Sequence, residues 1–227
     1  MAADTRSGTG PRDRFRAQVR EEVKTAALRQ LAEGGPEALS LNAIAKQLGM
    51  TGPALYRYFA NRDSLLTDLA VDAYADLASA LARAAAEAGP ADPAARLTGL
   101  VHAYRAWALA EPHRYRLLFR APLQGYDAQA ASLVEASQPA MTVLLDAVSA
   151  LAEPEPHVPR DTAGQFTKWR ERHGFEDVPE AVAARSTLLW AHLHGIVALE
   201  IEGNFTSMGI DPSPLYEAEV AEFVRSP

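Results

Sequence analysis

The stretch at residues 40–59 constrains the fold of this chain more than any other. Its sequence is SLNAIAKQLGMTGPALYRYF. Apolar side chains recur at helical spacing between residues 41 and 48, so we predict a short amphipathic helix with Ser40 as its N-cap. Gly49 ends this helix, because glycine readily adopts the left-handed conformation found at helix C-termini.

A second short helix is predicted after the turn at Met50. Thr51 can cap it, and Pro53 lies in its first turn, where no amide donor is needed. We expect it to run to about Phe59. Two short helices joined by a turn that contains glycine form a helix-turn-helix, whose second helix is shaped to lie in the DNA major groove. The alternative interpretation is an ordinary helical hairpin with half-buried tyrosines.

The second helix offers side chains suited to duplex DNA. Leu55 and Phe59 lie four residues apart and are expected to face inward, which leaves the residues between them on or near the outer side. Gly52 and Pro53 let the backbone approach the bases, while hydroxyl groups can reach phosphates. Arg57 can either read a guanine edge or bind a phosphate. The predicted DNA-contacting residues are Ser40, Asn42, Thr51, Gly52, Pro53, Tyr56, Arg57, Tyr58 and Arg62.

This stretch resembles the DNA-binding domain of TetR-type transcriptional repressors. The family pattern is matched by Ile44, Ala45, Gly49, Thr51, Leu55, Tyr56, Tyr58, Phe59 and Leu65. The resemblance covers residues 16–70. Arg62 stands where the family usually has lysine, and Gly52-Pro53 replaces commoner polar residues, so the family's base preference does not carry over.

Charge is divided unevenly along the 227 residues, whose net charge is −7. Residues 1–60 hold nine Lys and Arg against six Asp and Glu, a balance of +3, whereas the remaining residues hold 13 against 23, a balance of −10. This asymmetry indicates a DNA-facing end attached to an acidic body. Because an acidic body repels phosphate, we expect DNA contacts only in the first 60 or so residues and at Arg62.

Helical periodicity without strand-like alternation predicts an all-α fold. We expect a flexible arm at residues 1–14, either merely solvated or in contact with DNA, and a three-helix domain at residues 15–60 that contains the helix-turn-helix. A long helix capped by Asn61 then joins this domain to a helical body at residues 61–227.

Two parts of the body are predicted to be irregular. Pro139 should kink or split a helical region at residues 127–152. Between Glu153 and Pro179 the sequence predicts at most one or two helical turns. The aromatic residues of that segment could close over a cavity, or they could simply attach a surface insertion to the body.

The last two predicted helices, which begin at Glu180 and Ser213, are too apolar to be covered by one chain, and this predicts pairing with a second copy. The predicted interface residues are Leu189, Ile196, Tyr216, Val220 and Phe223. Trp190, His194-Gly195, Leu199 and Glu200 also resemble the WHG pattern of one C-terminal domain class of TetR-type regulators.

The resemblance implies a repressor that binds a palindromic operator as a homodimer and is released when its body binds a small apolar or aromatic effector. The alternative is a constitutive DNA-binding protein without an effector. The predicted effector-pocket residues are Tyr104, Trp107, Phe119, Met141, Leu144, Leu145, Trp169, Trp190 and His194.

Other functional classes find little support in the sequence. With no cysteine there is neither a disulfide framework nor a thiolate metal site. His192 and His194 point in different directions on one helix and cannot chelate a metal together. Phosphate-binding glycine loops, nucleophile elbows and long uninterrupted apolar stretches are also missing. We therefore expect a cytoplasmic protein that is not an enzyme, uses no cofactor or metal, and does not enter a membrane.

Overall fold

A computed structural model describes residues 10–89, 92–120, 126–127, 130–151 and 162–225. All regular elements in these ranges are helices, so the predicted all-α fold is confirmed. The chain divides into two compact units. The N-terminal unit comprises the described residues of Met1–Leu69 and Phe119–Tyr126, and the C-terminal unit comprises those of Ala70–Leu118 and Asp127–Pro227.

The N-terminal unit is a small helical domain. Its elements are α1 (Pro11–Gly34), a 3₁₀ turn (Pro36–Ala38), α2 (Leu41–Gln47), α3 (Gly52–Leu55) and the first turns of α4 (Arg62–Ala88). The buried side chains of α1 lie on one face and are four residues apart, as the sequence predicts: Val19, Val23, Ala27 and Leu31. Ile44, Leu55 and Phe59 complete the core with no more than 2% of their surface exposed. Burial of these apolar side chains stabilises the unit.

Two predicted boundaries of this unit are wrong. Helix α1 begins at Pro11 and not at Phe15, so the last residues of the predicted arm are helical, while residues 1–9 lie outside the described residues. Proline is well suited to a first turn because its fixed φ is helical and its missing N–H has no partner there in any case. Helix α3 ends at Leu55, short of Phe59. The following turn is tightened by a bond from the amide of Tyr58 to the carbonyl of Leu55 at 2.9 Å, and this brings Phe59 into the core.

The C-terminal unit is built around one helix. Its elements are the remainder of α4, α5 (Pro93–Ala110), α6 (Pro112–Phe119, up to Leu118 in this unit), α7 (Ala131–Ser149), α8 (Ala163–His173), α9 (Glu180–Ile201), α10 (Asn204–Met208) and α11 (Ser213–Arg225). Helices α5, α7, α8, α10 and α11 all contact α9. By length and hydropathy α9 could also cross a membrane, but the core helix of a globular protein passes the same test.

The irregular parts of the body are more helical than the sequence predicts. Pro139 lies inside one continuous helix, α7, so the alternative of two separate helices is wrong. Leu133 before it and Leu144 and Leu145 after it are all buried, and this packing holds the helix together across the missing hydrogen bond.

Helix α8 has eleven residues, about three turns. The sequence predicted one or two turns because it does not show the tertiary contacts of this segment. Trp169 stacks on Phe175 with ring centroids 5.5 Å apart, α8 packs on α9, and Gly174 ends the helix with a φ of +72°. Residues 152–161 lie outside the described residues.

Candidate functional site

The helix-turn-helix is held by side-chain caps at both of its helix starts. The Ser40 hydroxyl accepts a hydrogen bond from the amide of Ala43 at 3.3 Å, and the Thr51 hydroxyl accepts one from the amide of Ala54 at 3.4 Å. Gly49 has a φ of +66°, a left-handed conformation that favours glycine. The caps predicted from the sequence are therefore present, and each hydroxyl keeps its own O–H for a further acceptor.

An exposed surface runs from α2 across the start of α3 to the turn that follows. Pro53, Tyr56 and Arg57 are exposed, with 46% of the Tyr56 surface accessible, while Tyr58 is half-buried. Asn42 lies beside Gly52: its Oδ1 atom is 3.4 Å from the position that a Cβ on Gly52 would occupy. The structure thus brings most of the predicted DNA-contacting residues to one surface, which we call the α3 surface and define as Asn42, Gly52, Pro53, Tyr56 and Arg57.

Arg62 makes intramolecular contacts that the sequence did not predict. Its Nη2 atom donates to the carbonyl of Pro36 and lies 3.8 Å from the carboxylate of Glu37. Its Nε atom is buried without a partner among the described residues. The guanidinium therefore braces the start of α4 against the 3₁₀ turn. Its predicted contact with DNA stays a prediction; the sequence shows the charge of Arg62 but not the intramolecular contacts that it makes.

Arg20, which sequence reasoning missed, supports the α3 surface from behind. Its Nη1 atom donates to the carbonyl of Tyr58 at 2.6 Å, and its Nη2 atom forms an ion pair with Asp68. Its guanidinium carbon lies 4.4 Å from the centroid of the Phe59 ring. One side chain thus joins α1, the turn after α3, and α4. The sequence signal was weak: a charged residue next to the buried stripe of α1.

A second candidate site in the C-terminal unit centres on His194 of α9. The hydroxyl groups of Tyr104 and Tyr115 lie 3.3 and 2.9 Å from its Nδ1 atom. The imidazole ring stacks with the rings of Trp190 and Tyr115, with centroid distances of 5.2 and 5.5 Å. We call Tyr104, Tyr115, Trp190 and His194 the His194 cluster. Tyr115 was not among the predicted pocket residues.

Burial keeps the titratable groups of the His194 cluster uncharged near neutral pH. It raises the pKa of Tyr104, with the neighbouring Tyr115 adding to the effect, and raises the pKa of Tyr115 to about 12. It lowers the pKa of His194. In each case a charged form would lose hydration on burial. The cluster therefore offers neutral hydrogen-bonding groups and flat aromatic faces.

The other predicted pocket residues are not part of this cluster. The indole of Trp107 donates to Asp76 at 3.1 Å, Trp169 stacks on Phe175, and Phe119 belongs to the N-terminal unit. The remaining predicted residues are buried or half-buried along α7, namely Met141, Leu144 and Leu145. The residues predicted to form one pocket therefore lie in several different parts of the structure.

Three of the predicted interface residues are core residues. Leu189, Tyr216 and Val220 have between 0 and 3% of their surface exposed, and the Tyr216 hydroxyl donates to the carbonyl of Val101 at 2.6 Å. Their assignment to a dimer surface is therefore wrong, because they already pack within their own chain. Ile196 and Phe223 are half-buried, and the Phe223 ring lies 4.5 Å from the Arg185 guanidinium.

The capped helix pair, its exposed α3 surface and the helical body that follows define a helix-turn-helix DNA-binding protein. Comparison with known proteins agrees. Residues 25–69 match the family model of bacterial regulatory proteins of the tetR family, and residues 97–223 match that of the Tetracyclin repressor-like C-terminal domain. The chain belongs to the TetR family and is a DNA-binding transcriptional regulator.

Individual relatives support the same assignment over most of the chain. An HTH-type transcriptional regulator of Mycobacterium tuberculosis is 34% identical over 217 residues, which is 92% of each protein. The crystal structure of the regulatory protein SCO4313 is similar with a TM-score of 0.78 and 41% identity, covering 95% of this chain and 99% of that one. A tetR-family regulatory protein from Rhodococcus RHA1 shares the fold, with a TM-score of 0.59 and 19% identity over 92% and 96% of the two chains.

Proposed function

We propose that this regulator is a repressor that binds a palindromic operator as a homodimer and leaves it when a small molecule binds its body. The observation that carries the DNA-binding part is the α3 surface, which presents Pro53, Tyr56 and Arg57 on a capped helix start. No described residue accepts a hydrogen bond from the Arg57 guanidinium, so its donors are available to a base edge or a phosphate.

A stripe on α9 supports the homodimer. Leu188 and Leu199 have 55% and 47% of their surface exposed, although they are large and apolar. Ala191, His192 and Gly195 lie between them at helical spacing, and a Cβ on Gly195 would meet nothing within 4 Å. A second copy of α9 could approach this stripe closely and bury both leucines. Two-fold pairing would then place two α3 surfaces at separate half-sites of a symmetric operator.

The His194 cluster supports an effector site. Its aromatic rings suit a small apolar or aromatic molecule, and its neutral hydroxyl and imidazole groups suit one or two polar atoms on it.

Release from DNA requires the effector to prefer one arrangement of the dimer. Helix α4 is continuous from the N-terminal unit into the C-terminal unit, so a change in the body can reach the DNA-binding end through a single stiff element. An effector that binds the released arrangement about 100-fold more tightly would shift the equilibrium by roughly 2.7 kcal/mol.

Selection of bound oligonucleotides from a random pool tests the proposal. We expect a two-fold symmetric consensus, and Arg57→Ala should alter the preference at one position of each half-site. Loss of affinity that is equal for all sequences would instead make Arg57 a phosphate contact. An asymmetric consensus would refute the palindromic operator.

The effector is tested separately from the operator. Thermal unfolding should shift upward in the presence of some members of a library of small apolar and aromatic compounds, and the same compounds should release the operator. If no compound shifts the unfolding temperature while DNA binding is intact, the protein is a constitutive DNA-binding protein.

A further inference from the structure

A surface depression in the C-terminal unit shares no lining residue with the His194 cluster. It is formed by the last turns of α4, the start of α5 and the middle of α7, and it has a volume of about 360 Å³. Its lining residues are Ala82, Ala85, Ala86, Gly89, Arg96 and Val143. This volume is near the lower end of the range of roughly 300–1,000 Å³ that small-molecule sites occupy.

The lining is apolar except for one guanidinium. Alanine, glycine and valine provide the walls, so Arg96 is the one charged side chain among the lining residues. No described carboxylate or carbonyl accepts a hydrogen bond from its side chain, and its Nε atom is buried without a partner. A guanidinium has five N–H donors, and burying one of them unpaired is costly.

Three other arginines of this unit are paired with carboxylates of distant elements. Arg105 makes two hydrogen bonds to Glu200 at 2.7 and 2.8 Å, Arg114 lies 3.1 Å from Asp76, and Arg116 lies 2.9 Å from Glu202. Arg96 differs from these three arginines, because no described carboxylate pairs with it although the body is acidic. An anion with an apolar part would complement both the guanidinium and the apolar walls.

We propose that this depression binds a small amphiphilic carboxylate. The apolar chain would lie against the alanine and valine walls, and the carboxylate would accept hydrogen bonds from the Arg96 guanidinium, after a small rotation that exposes its edge. The two oxygens of a carboxylate can accept two parallel hydrogen bonds from one planar guanidinium. A carboxylate also carries only one negative charge, whereas a dianion would be repelled more strongly by the acidic body. This site is distinct from the effector site proposed at the His194 cluster.

Calorimetric titration of the full chain with octanoate tests the proposal. We expect saturable binding of octanoate and at least tenfold weaker binding of octanol, which has a similar chain without the charge. Octyltrimethylammonium, which carries the opposite charge, should not bind. If octanol binds as tightly as octanoate, or if octanoate does not bind at millimolar concentration, the proposal fails.

Three variants locate the site. Arg96→Gln should weaken octanoate binding at least tenfold, and Ala86→Phe should do the same by filling the depression. Arg83→Gln is the matched control, because Arg83 is an exposed arginine of α4 that does not line the depression. Circular dichroism and thermal unfolding show whether each variant folds like the unsubstituted chain. Equal affinity in Arg96→Gln, or an equal loss in Arg83→Gln, would refute the site.

Direct titration separates this proposal from the proposed repressor function. Octanoate binding is measured on the free protein, so it does not depend on an operator, and the Arg96→Gln and Ala86→Phe variants separate it from binding at the His194 cluster. Loss of octanoate binding with operator binding intact would overturn the carboxylate site alone. A missing symmetric consensus with octanoate binding intact would overturn the operator proposal alone.

Discussion

Arg20 offers a sharp test of how the DNA-binding unit is held together. Arg20→Met keeps the length and apolar stem of the side chain but removes its donors. The carbonyl of Tyr58 then loses its donor, Asp68 loses its ion-pair partner, and the ring of Phe59 loses the cation above it. We expect lower stability of the N-terminal unit and a displaced turn at residues 56–58.

The expected loss of unfolding free energy in Arg20→Met follows from the three contacts that the substitution removes. A hydrogen bond that involves a charged group contributes about 1.5–3 kcal/mol, and the lower end applies here because 31% of the Arg20 side chain is exposed. A partly exposed ion pair adds about 0.2–1 kcal/mol, and a cation near an aromatic ring adds about 0.5–1 kcal/mol. The expected loss is roughly 2–3 kcal/mol of unfolding free energy. If half of it appears in DNA binding, the affinity falls about tenfold.

The assay combines urea denaturation with operator binding at several salt concentrations. Arg20 does not lie on the α3 surface, so Arg20→Met should weaken binding without changing the salt dependence, whereas loss of a phosphate contact would reduce that slope by about one. Arg20→Lys should recover part of the affinity because it keeps a charge near Asp68. Arg29→Met is the matched control, since Arg29 is exposed on the same helix. Unchanged stability and affinity in Arg20→Met, or a reduced salt slope, would refute this reasoning.

Two further predictions concern the C-terminal unit. Burial lowers the pKa of His194 and of His173, so the folded state favours their neutral forms. The contribution of these two groups to stability is therefore fully present above their unfolded-state pKa of about 6.5, and it is lost as the pH falls below that value. Urea denaturation between pH 7.5 and 5.5 should show this decrease, His194→Gln should make it smaller, and a decrease of the same size in that variant would contradict the assignment. For the homodimer, Leu188→Glu together with Leu199→Glu should yield monomers in sedimentation experiments, whereas Leu109→Glu, at an apolar residue of α5 with 40% exposure, should not. Dimers that persist in the double variant would exclude the α9 stripe as the interface.

Local features of the helix-turn-helix were predictable from the sequence. Ser40 and Thr51 cap the helices that they precede, Asn61 accepts a hydrogen bond from the amide of Ser64 at 2.8 Å, and Asp92 accepts one from the amide of Ala95 at 2.9 Å. Such contacts join residues three apart, so sequence and backbone geometry are enough to determine them. The same holds for the buried stripes of α1 and α4, which depend only on helical periodicity.

Other features depended on contacts between distant parts of the chain. Arg62 binds the carbonyl of Pro36, 26 residues away, and Arg20 reaches Tyr58 and Asp68, 38 and 48 residues away. Tyr115 joins His194 across 79 residues. The sequence shows that a residue is charged or aromatic, but it does not show which distant residue it will contact. That partner is determined only when the helices pack.

The sequence by itself determined that this chain is helical, where its caps lie and that it resembles TetR-type regulators. Only the tertiary structure decided which cations brace the DNA-binding unit, which apolar residues of α9 and α11 are core, and which arginines of the body pair with carboxylates. The physical reason is the range of the interactions. Helix caps and helical periodicity depend on residues a few positions apart in the sequence. Burial and ion pairing depend on distant residues that folding brings together.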